Sequence, residues 1–354
     1  MTEGADERPL ARSVAARGRF ARIFSLGDRA SPSSWTPGLV VSSDDPEIPL
    51  RFSAFRIERE SSTIPAKMSM EVLGDLCLPF GKPEIWNAEE GLILPSSLVE
   101  SDSGQNSIGS QLFPVSWQSL HHDEKLLENS LEPSIVTLID APQLAERPGK
   151  LVEALDAIRR RFPTSLIWTP GIGGPDNCAL LSWMGVDLFD FSRSQEAVAR
   201  GVILTEDGPR EPESTAGEVS DLQTQLEAWE RALGATRSAI REGTIRQLAE
   251  RQALSSPRSV ERLRRHDSIM SEKASIDAGS AGLASVVKEG TRLLCHSYSS
   301  RDDPLIQNWR RRVSQLHTPP NHQSNVMVLL PCSAKKPYRP VSYTHLTLPT
   351  KRIV

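Results

Sequence analysis

Cysteine, aromatic residues and long apolar runs are all scarce in this chain of 354 residues. Its four cysteines, Cys77, Cys178, Cys295 and Cys332, stand far apart, which excludes a disulfide framework and a CxxC metal knuckle. No stretch approaches the roughly 18 to 20 uninterrupted apolar residues of a spanning helix, and residues 1–12 carry charge without the apolar core of a signal peptide. No membrane partner is expected, and a cytoplasmic location follows by default. The histidines make no metal set: His121 and His122 are adjacent and point apart, His296 follows Cys295, and His317 and His322 sit near prolines. Neither the GxGxxG nor the GxxxxGK[ST] pattern occurs, so no cofactor is expected.

What is present is a polar composition, 38% hydrophobic and 24% charged, with a formal charge of -4 and a mean hydropathy of -0.33. That is enough chain for one large core or two to three domains. The charge is unevenly spread. Residues 201–230 hold eight acids against Arg210 alone, whereas residues 231–312 hold sixteen Lys and Arg against nine acids. The basic stretch admits a nucleic-acid partner, although an ordinary helical surface is the first reading of such an imbalance.

Residues 30–65 read as short strands and turns, with strands at 39–41 and 50–52, and residues 101–110 read as a polar loop. Beyond them strands and helices alternate. A strand is expected over 134–140, then a helix over 149–161 with Leu151, Leu155 and Ile158 on one face. A strand at 165–168, a Gly/Pro turn, a helix over 177–184, a strand at 186–189 and a helix over 194–200 follow. This succession predicts an α/β fold with a parallel sheet or a (β/α) barrel. Residues 205–217 read as a linker. The spacing of Leu222, Leu226, Trp229 and Leu233 predicts mainly helix over 219–266, with a mixed segment over 267–300.

Three places can carry chemistry. Val326, Met327, Val328, Leu329 and Leu330 read as a buried strand that empties into Pro331, Cys332, Ser333, Ala334, Lys335, Lys336, Pro337 and Tyr338. Lys335 or Lys336 would favour a Cys332 thiolate, and backbone N–H groups of the turn would hold an anion. Alternatively, Cys332 is a small residue closing a strand. The second place is the loop from Trp168 through Gly171, Gly173 and Gly174 to Asp176 and Asn177, whose glycines admit close backbone approach to a ligand or serve a tight connection. The third is Asp187, with Asp190 at the carboxyl end of the same strand. A carboxylate there is a nucleophile, a general acid/base, or the cap of the next helix. Arg193 and Arg200 bind phosphate or face water.

Two of these stretches resemble the archaeosine synthase family, which descends from tRNA-guanine transglycosylases. The run over 166–204, LIWTPGIGGPDNCALLSWMGVDLFDFSRSQEAVARGVIL, is similar to the transglycosylase segment in which a Pro-Gly loop and helix lead to a GVDxFD strand. The run over 328–338, VLLPCSAKKPY, is similar to the Pro-Cys-Ser-x-x-Lys-Pro-Tyr signature that opens the additional domain of archaeosine synthases. The segment over 240–250, with Leu263, Arg264, Arg265, His266 and Asp267 downstream, resembles the helical region between them. The resemblance spans about 150–340.

It implies a degenerate transglycosylase-like (β/α) barrel over 1–215, a mainly helical basic segment over 216–325 and the start of the synthase catalytic domain over 326–340. Asp190 matches the ancestral nucleophile toward ribose C1'. Phe191, Ser192, Arg193 and Ser194 stand where transglycosylases carry Cys-Val-x-Pro-Thr-Arg, and a CxCxxC zinc cluster is absent, so base exchange is the secondary expectation. The implied activity is archaeosine synthesis in tRNA, by addition of a small amine, with lysine the first candidate, to the nitrile of 7-cyano-7-deazaguanine. A partner enzyme completes archaeosine in some lineages. Catalysis falls to Cys332, Lys335 and Lys336, with Gly171, Gly173, Gly174, Asp187, Ser333 and Tyr338 in substrate binding. A non-catalytic tRNA-binding module is the other alternative.

Residues 341–350, VSYTHLTLPT, match one reading frame of a common sequencing adapter, so 341–354 is expected to be a non-biological tail on a truncated chain. Ser342 and His345 are assigned no role. On this expectation the chain lacks part of its catalytic pocket, the full-length product is the enzyme, and whether this chain is itself active stays open.

Overall fold

The computed structural model describes residues 12–27, 30–41, 45–49, 51–57, 61–64, 68–71, 112–122, 132–283, 294–316, 318 and 321–325. The chain divides after Gln307 into two units. The larger has a mixed α/β architecture with parallel and antiparallel sheets and a helical region.

It begins with a three-stranded antiparallel sheet, β1 (Arg12–Gly18), β2 (Ala21–Gly27) and β3 (Pro32–Trp35). No strand was expected at β1 and β2. A register irregularity between Val14 and Ala16 breaks the period-two pattern of β1, and β2, buried at six successive positions, has no alternation to show.

Among the described residues the main sheet has eight strands. In chain order they are β4 (Gly38–Val41), β5 (Ser53–Ile57), β6 (Ser61–Ile64), β7 (Met68–Glu71), β8 (Leu112–Val115), β9 (Ile135–Leu138), β10 (Leu166–Trp168) and β11 (Leu188–Asp190). Strands β8, β9, β10, β11, β4 and β5 lie side by side and parallel, with β6 and β7 added antiparallel beyond β5. The order climbs to the last of these strands and passes directly to the first, without the reversal that marks a doubly wound sheet. β9, β10, β11 and β4 are buried along their whole length, which is why they read as short apolar runs rather than alternating ones. β5 begins at Ser53, not at 50–52. Leu50 lies outside the described residues, and Arg51 belongs to the approach, where Phe52 N–H is turned back onto the Pro49 carbonyl.

From β8 onward helices fill the connections: α1 (Trp117–His122), α2 (Ala141–Glu146), α3 (Lys150–Arg161), α4 (Cys178–Trp183) and α5 (Ser192–Ala199). The Leu151, Leu155 and Ile158 stripe of α3 is fully buried, and all six residues of α4 are interior. The expected linker at 205–217 contains part of a hairpin, β12 (Ile203–Thr205) with β13 (Gly208–Arg210). Gly208 at φ 125° allows the tight return.

The helical stretch is three helices, α6 (Leu222–Glu242), α7 (Ile245–Ala253) and α8 (Pro257–Ile276). Leu226, Trp229 and Leu233 bury one face of α6 against the sheet layer. Trp229 lies 5.8 Å from Phe189 of β11 and donates to Ser194 Oγ at 2.9 Å. Gly243 ends α6 in the left-handed conformation at φ 75°. Ser256 starts α8, its hydroxyl accepting from Ser259 N–H at 3.1 Å, with Pro257 in the first turn. That start carries α8 ten residues into the segment expected to be mixed. Ser256→Ala is expected to cost about 1 kcal/mol in urea unfolding, whereas an unchanged midpoint would show that the cap is idle.

The second unit, from Asn308, contains the end of helix α9 (Pro304–Arg311) and a turn over Asn321–Gln323. The expected strand at 326–330 lies outside the described residues. Among the described residues no helix is long and apolar enough to cross a membrane.

Candidate functional site

β10, the loop after it, α4, β11 and α5 assemble the one place where the described residues gather several of the candidates. Asp190 ends β11 and is only 3% exposed. Its Oδ2 accepts from Trp168 Nε1 at 3.2 Å and from Gly171 N–H at 2.9 Å, and its Oδ1 accepts from Ser192 N–H at 3.1 Å and from the Ser192 hydroxyl. Burial raises its pKa above the usual carboxylate range, and the four donors work in the opposite direction. Both oxygens are engaged, so in this arrangement the carboxylate holds the loop to the strand end.

The loop itself is built tightly. Gly171 has φ 75°. A Cβ on Gly173 would stand 2.5 Å from Phe189 Cδ1, and one on Gly174 would stand 2.6 Å from an Arg193 nitrogen. Asn177 accepts from Gly174 N–H at 2.8 Å and donates to the Ile172 carbonyl at 3.0 Å. It therefore ties the loop to itself and makes no side-chain cap on α4. Arg193 donates twice to Asp176, at 2.8 and 3.0 Å, clamping α5 to the loop. Arg200 pairs with Glu196 on the surface.

Asp187 is at the other end of β11, about 10 Å from Asp190 by strand rise. It is 1% exposed, pairs with Arg22 of β2 and accepts from Ile167 N–H at 3.0 Å. The structure therefore groups Gly171, Gly173, Gly174 and Asp190 and places Asp187 elsewhere. Cys332, Ser333, Lys335, Lys336 and Tyr338 lie outside the described residues.

Sequence reasoning missed Trp168 and Ser192 as the holders of Asp190. A serine two positions after an aspartate is a recognisable local hydrogen-bonding signal, whereas the Trp168 contact comes only from strand pairing. Asp190→Asn is expected to lower stability by about 1–3 kcal/mol, because the amide turns N–H groups toward buried donors. Equal urea midpoints for the two proteins would sink that reading.

Cys178 is fully buried and its thiol is pushed up to about 12 by burial, so it is chemically quiet. No group of three His, Cys, Asp or Glu suited to a metal occurs among the described residues. Part of the basic surplus is consumed internally. Arg237 donates to the carbonyls of Pro37, Arg51 and Trp35 at 2.9, 2.8 and 2.7 Å, and Arg262 donates to the Ala145 carbonyl at 2.9 Å. Arg231, Arg241, Arg251, Arg258 and Arg264 remain exposed.

A family described as a domain of unknown function, DUF5591, matches residues 306–351. The chain is also similar to an archaeosine synthase of Methanocaldococcus jannaschii, 26% identical over 215 residues, which are 60% of this chain and 34% of that protein. It is 25% identical over 227 residues to an archaeosine synthase subunit alpha of Methanosarcina acetivorans, covering 56% and 34%. It is 29% identical over 187 residues to an archaeosine synthase of Haloferax volcanii, covering 48% and 30%. The chain spans about a third of the length of the curated relatives it matches.

Proposed function

We propose that this chain is part of an archaeosine synthase-type tRNA-modifying enzyme, which adds an amine to the nitrile of 7-cyano-7-deazaguanine already installed in tRNA. The observation that carries this reading is the similarity to archaeosine synthases of three archaeal species at 25–29% identity. The Pro-Cys-Ser-x-x-Lys-Pro-Tyr run lies inside the matched stretch 306–351. On this reading the parallel strands belong to a degenerate barrel. Their order, from β8 through β11 and on to β4 and β5, is that of a sheet rolling in one direction.

In the proposed reaction the Cys332 thiolate adds to the nitrile carbon, and the nitrile nitrogen takes a proton, giving a thioimidate. The amine then adds to the same carbon, loses a proton and expels the thiolate, leaving an amidine and the enzyme unchanged. Lys335 or Lys336 favours the thiolate by its charge. The sequence is redox-neutral. Lysine is the proposed amine, a partner enzyme completes archaeosine where one is present, and the exposed arginines of α6, α7 and α8 meet the tRNA backbone in a salt-dependent contact.

Base exchange with Asp190 as nucleophile is the second reading. The four donors on Asp190 and its burial count against it. A tRNA-binding module without chemistry is the third. The test is Cys332→Ala in the full-length protein, assayed for amidine formation on tRNA carrying the nitrile base. We expect a loss of at least about a thousandfold with tRNA binding retained, as for removal of a covalent nucleophile. Full activity in this variant would remove the mechanism, and base exchange without amidine formation in the unmutated protein would select the second reading.

A further inference from the structure

Around Phe20, in the turn between β1 and β2, three hydrogen-bonding groups lie buried with no hydrogen-bond partner among the described residues. Arg159 of α3 sets its guanidinium over the ring face, 4.1 Å from the centroid, and none of its three nitrogens makes a hydrogen bond. His266 of α8 meets the same ring edge-on at 5.9 Å, is 1% exposed, and has both ring nitrogens unbonded. Its Nδ1 stands 3.8 Å from Asp267 Oδ1, beyond hydrogen-bond reach. Trp183, at the end of α4, lies 6.2 Å from His266, and its indole N–H is likewise unbonded. A Cβ on Gly185 would come 2.5 Å from an Arg159 nitrogen, so the guanidinium rests against bare backbone.

The surrounding cations are matched. Arg19 pairs with Asp303, Arg22 with Asp187, Arg246 with Asp267 and Glu250, and Lys273 with Asp156. Arg159 has no carboxylate within ion-pair distance among the described residues. Asp156 and Asp187 act on it only through space and are already engaged by other cations.

An arginine offers five N–H donors, an indole one and a neutral imidazole one, with a single acceptor nitrogen among them. Water in such a place brings two further donors, whereas an oxyanion such as sulfate or hydrogen phosphate brings mostly acceptors. Two oxygens of one oxyanion also match the parallel N–H groups of a guanidinium. We propose that Arg159, Trp183 and His266 form a binding site for a small oxyanion of the phosphate or sulfate class, at the amino end of β11 and so at the opposite end of that strand from Asp190. The site is independent of the chemistry proposed for Cys332.

The test is thermal unfolding of the full chain against inorganic phosphate, with ionic strength held constant by chloride. A saturable rise in Tm is expected, roughly 5 °C at a hundredfold excess over Kd. Arg159→Met is expected to abolish the saturable part. Trp183→Phe keeps the ring shape and drops one donor, and is expected to weaken the midpoint about tenfold. Phosphate also stabilises proteins by exclusion from their surfaces, in a linear fashion. A linear rise shared by the unmutated protein and both variants overturns the proposal, and leaves water as the occupant. If Arg159→Met does not fold, an unchanged midpoint in Trp183→Phe overturns it alone.

Discussion

Asp187→Ala is expected to destabilise the protein by about 3–5 kcal/mol, the usual cost of removing one partner from a buried ion pair. The carboxylate is 1% exposed and meets Arg22, itself 8% exposed, so its loss strands a charge that water cannot reach. It also frees the Ile167 N–H, which Asp187 accepts at 3.0 Å. Arg22 would keep its bonds to the carbonyls of Pro163 and Ser165 at 2.9 and 2.8 Å, which prevents it from swinging out to solvent. The check is a urea midpoint at constant slope. Replacing Arg22 with methionine in the same chain is expected to recover part of the loss, because the stranded charge goes with it. A cost below about 1 kcal/mol, typical of an exposed pair, would refute this account.

Arg246→Met is expected to cost a similar 3–5 kcal/mol, by stranding two carboxylates in place of one cation. From α7, Arg246 donates to Glu250 at 2.7 Å, twice to Asp267 of α8, and to the Ser299 carbonyl at 3.0 Å. Glu250 in turn accepts from the hydroxyls of Ser297 and Ser300, each at 2.7 Å. Burial opposes the charge on Arg246, yet the bonds to Asp267 and Glu250 outweigh it and hold the pKa above the ordinary arginine value. The same guanidinium therefore secures α7, α8 and the 297–300 segment. Amide exchange gives a second readout: protection is expected to fall first at 297–300, which has few apolar anchors of its own. Uniform loss across the chain, or none, would contradict the role of Arg246 as the link.

Much of the α/β succession was legible because β9, β10 and β11 are short apolar runs separated by helices with a single buried stripe. β8 was not, since Pro114 in its middle argues against a strand on composition, and its edge position is what tolerates the missing N–H. The position of Asp190 at a strand end was readable from the spacing of its neighbours. Its confinement was not, because Trp168 reaches it only once β10 and β11 pair. Asp187 illustrates the same limit: Arg22, which decides what that carboxylate does, is 165 residues earlier in the chain. Nothing local to Gly185, Val186 and Asp187 signals an arginine from another sheet. The basic character of 231–312 was plain, but Arg237, Arg246 and Arg262 turn inward, so formal charge overstated the surface offered to a polyanion.

The pairing of β4 with β11 sets a schedule for how the molecule is made. Gly38, Leu39 and Val40 take Leu188, Phe189 and Asp190 as neighbours, so the first parallel strand waits on the ribosome until the last has been synthesised. At roughly 5 to 20 residues per second that wait is on the order of ten to thirty seconds. During it, one edge of β4 lacks its partner and Arg22 lacks its carboxylate. Distant pairings of this kind slow the final search as well, since a long loop must close before any contact rewards it. The nascent chain is therefore expected to depend on chaperones, and a ribosome-bound intermediate halted before residue 188 should be markedly more sensitive to protease than one halted after α6.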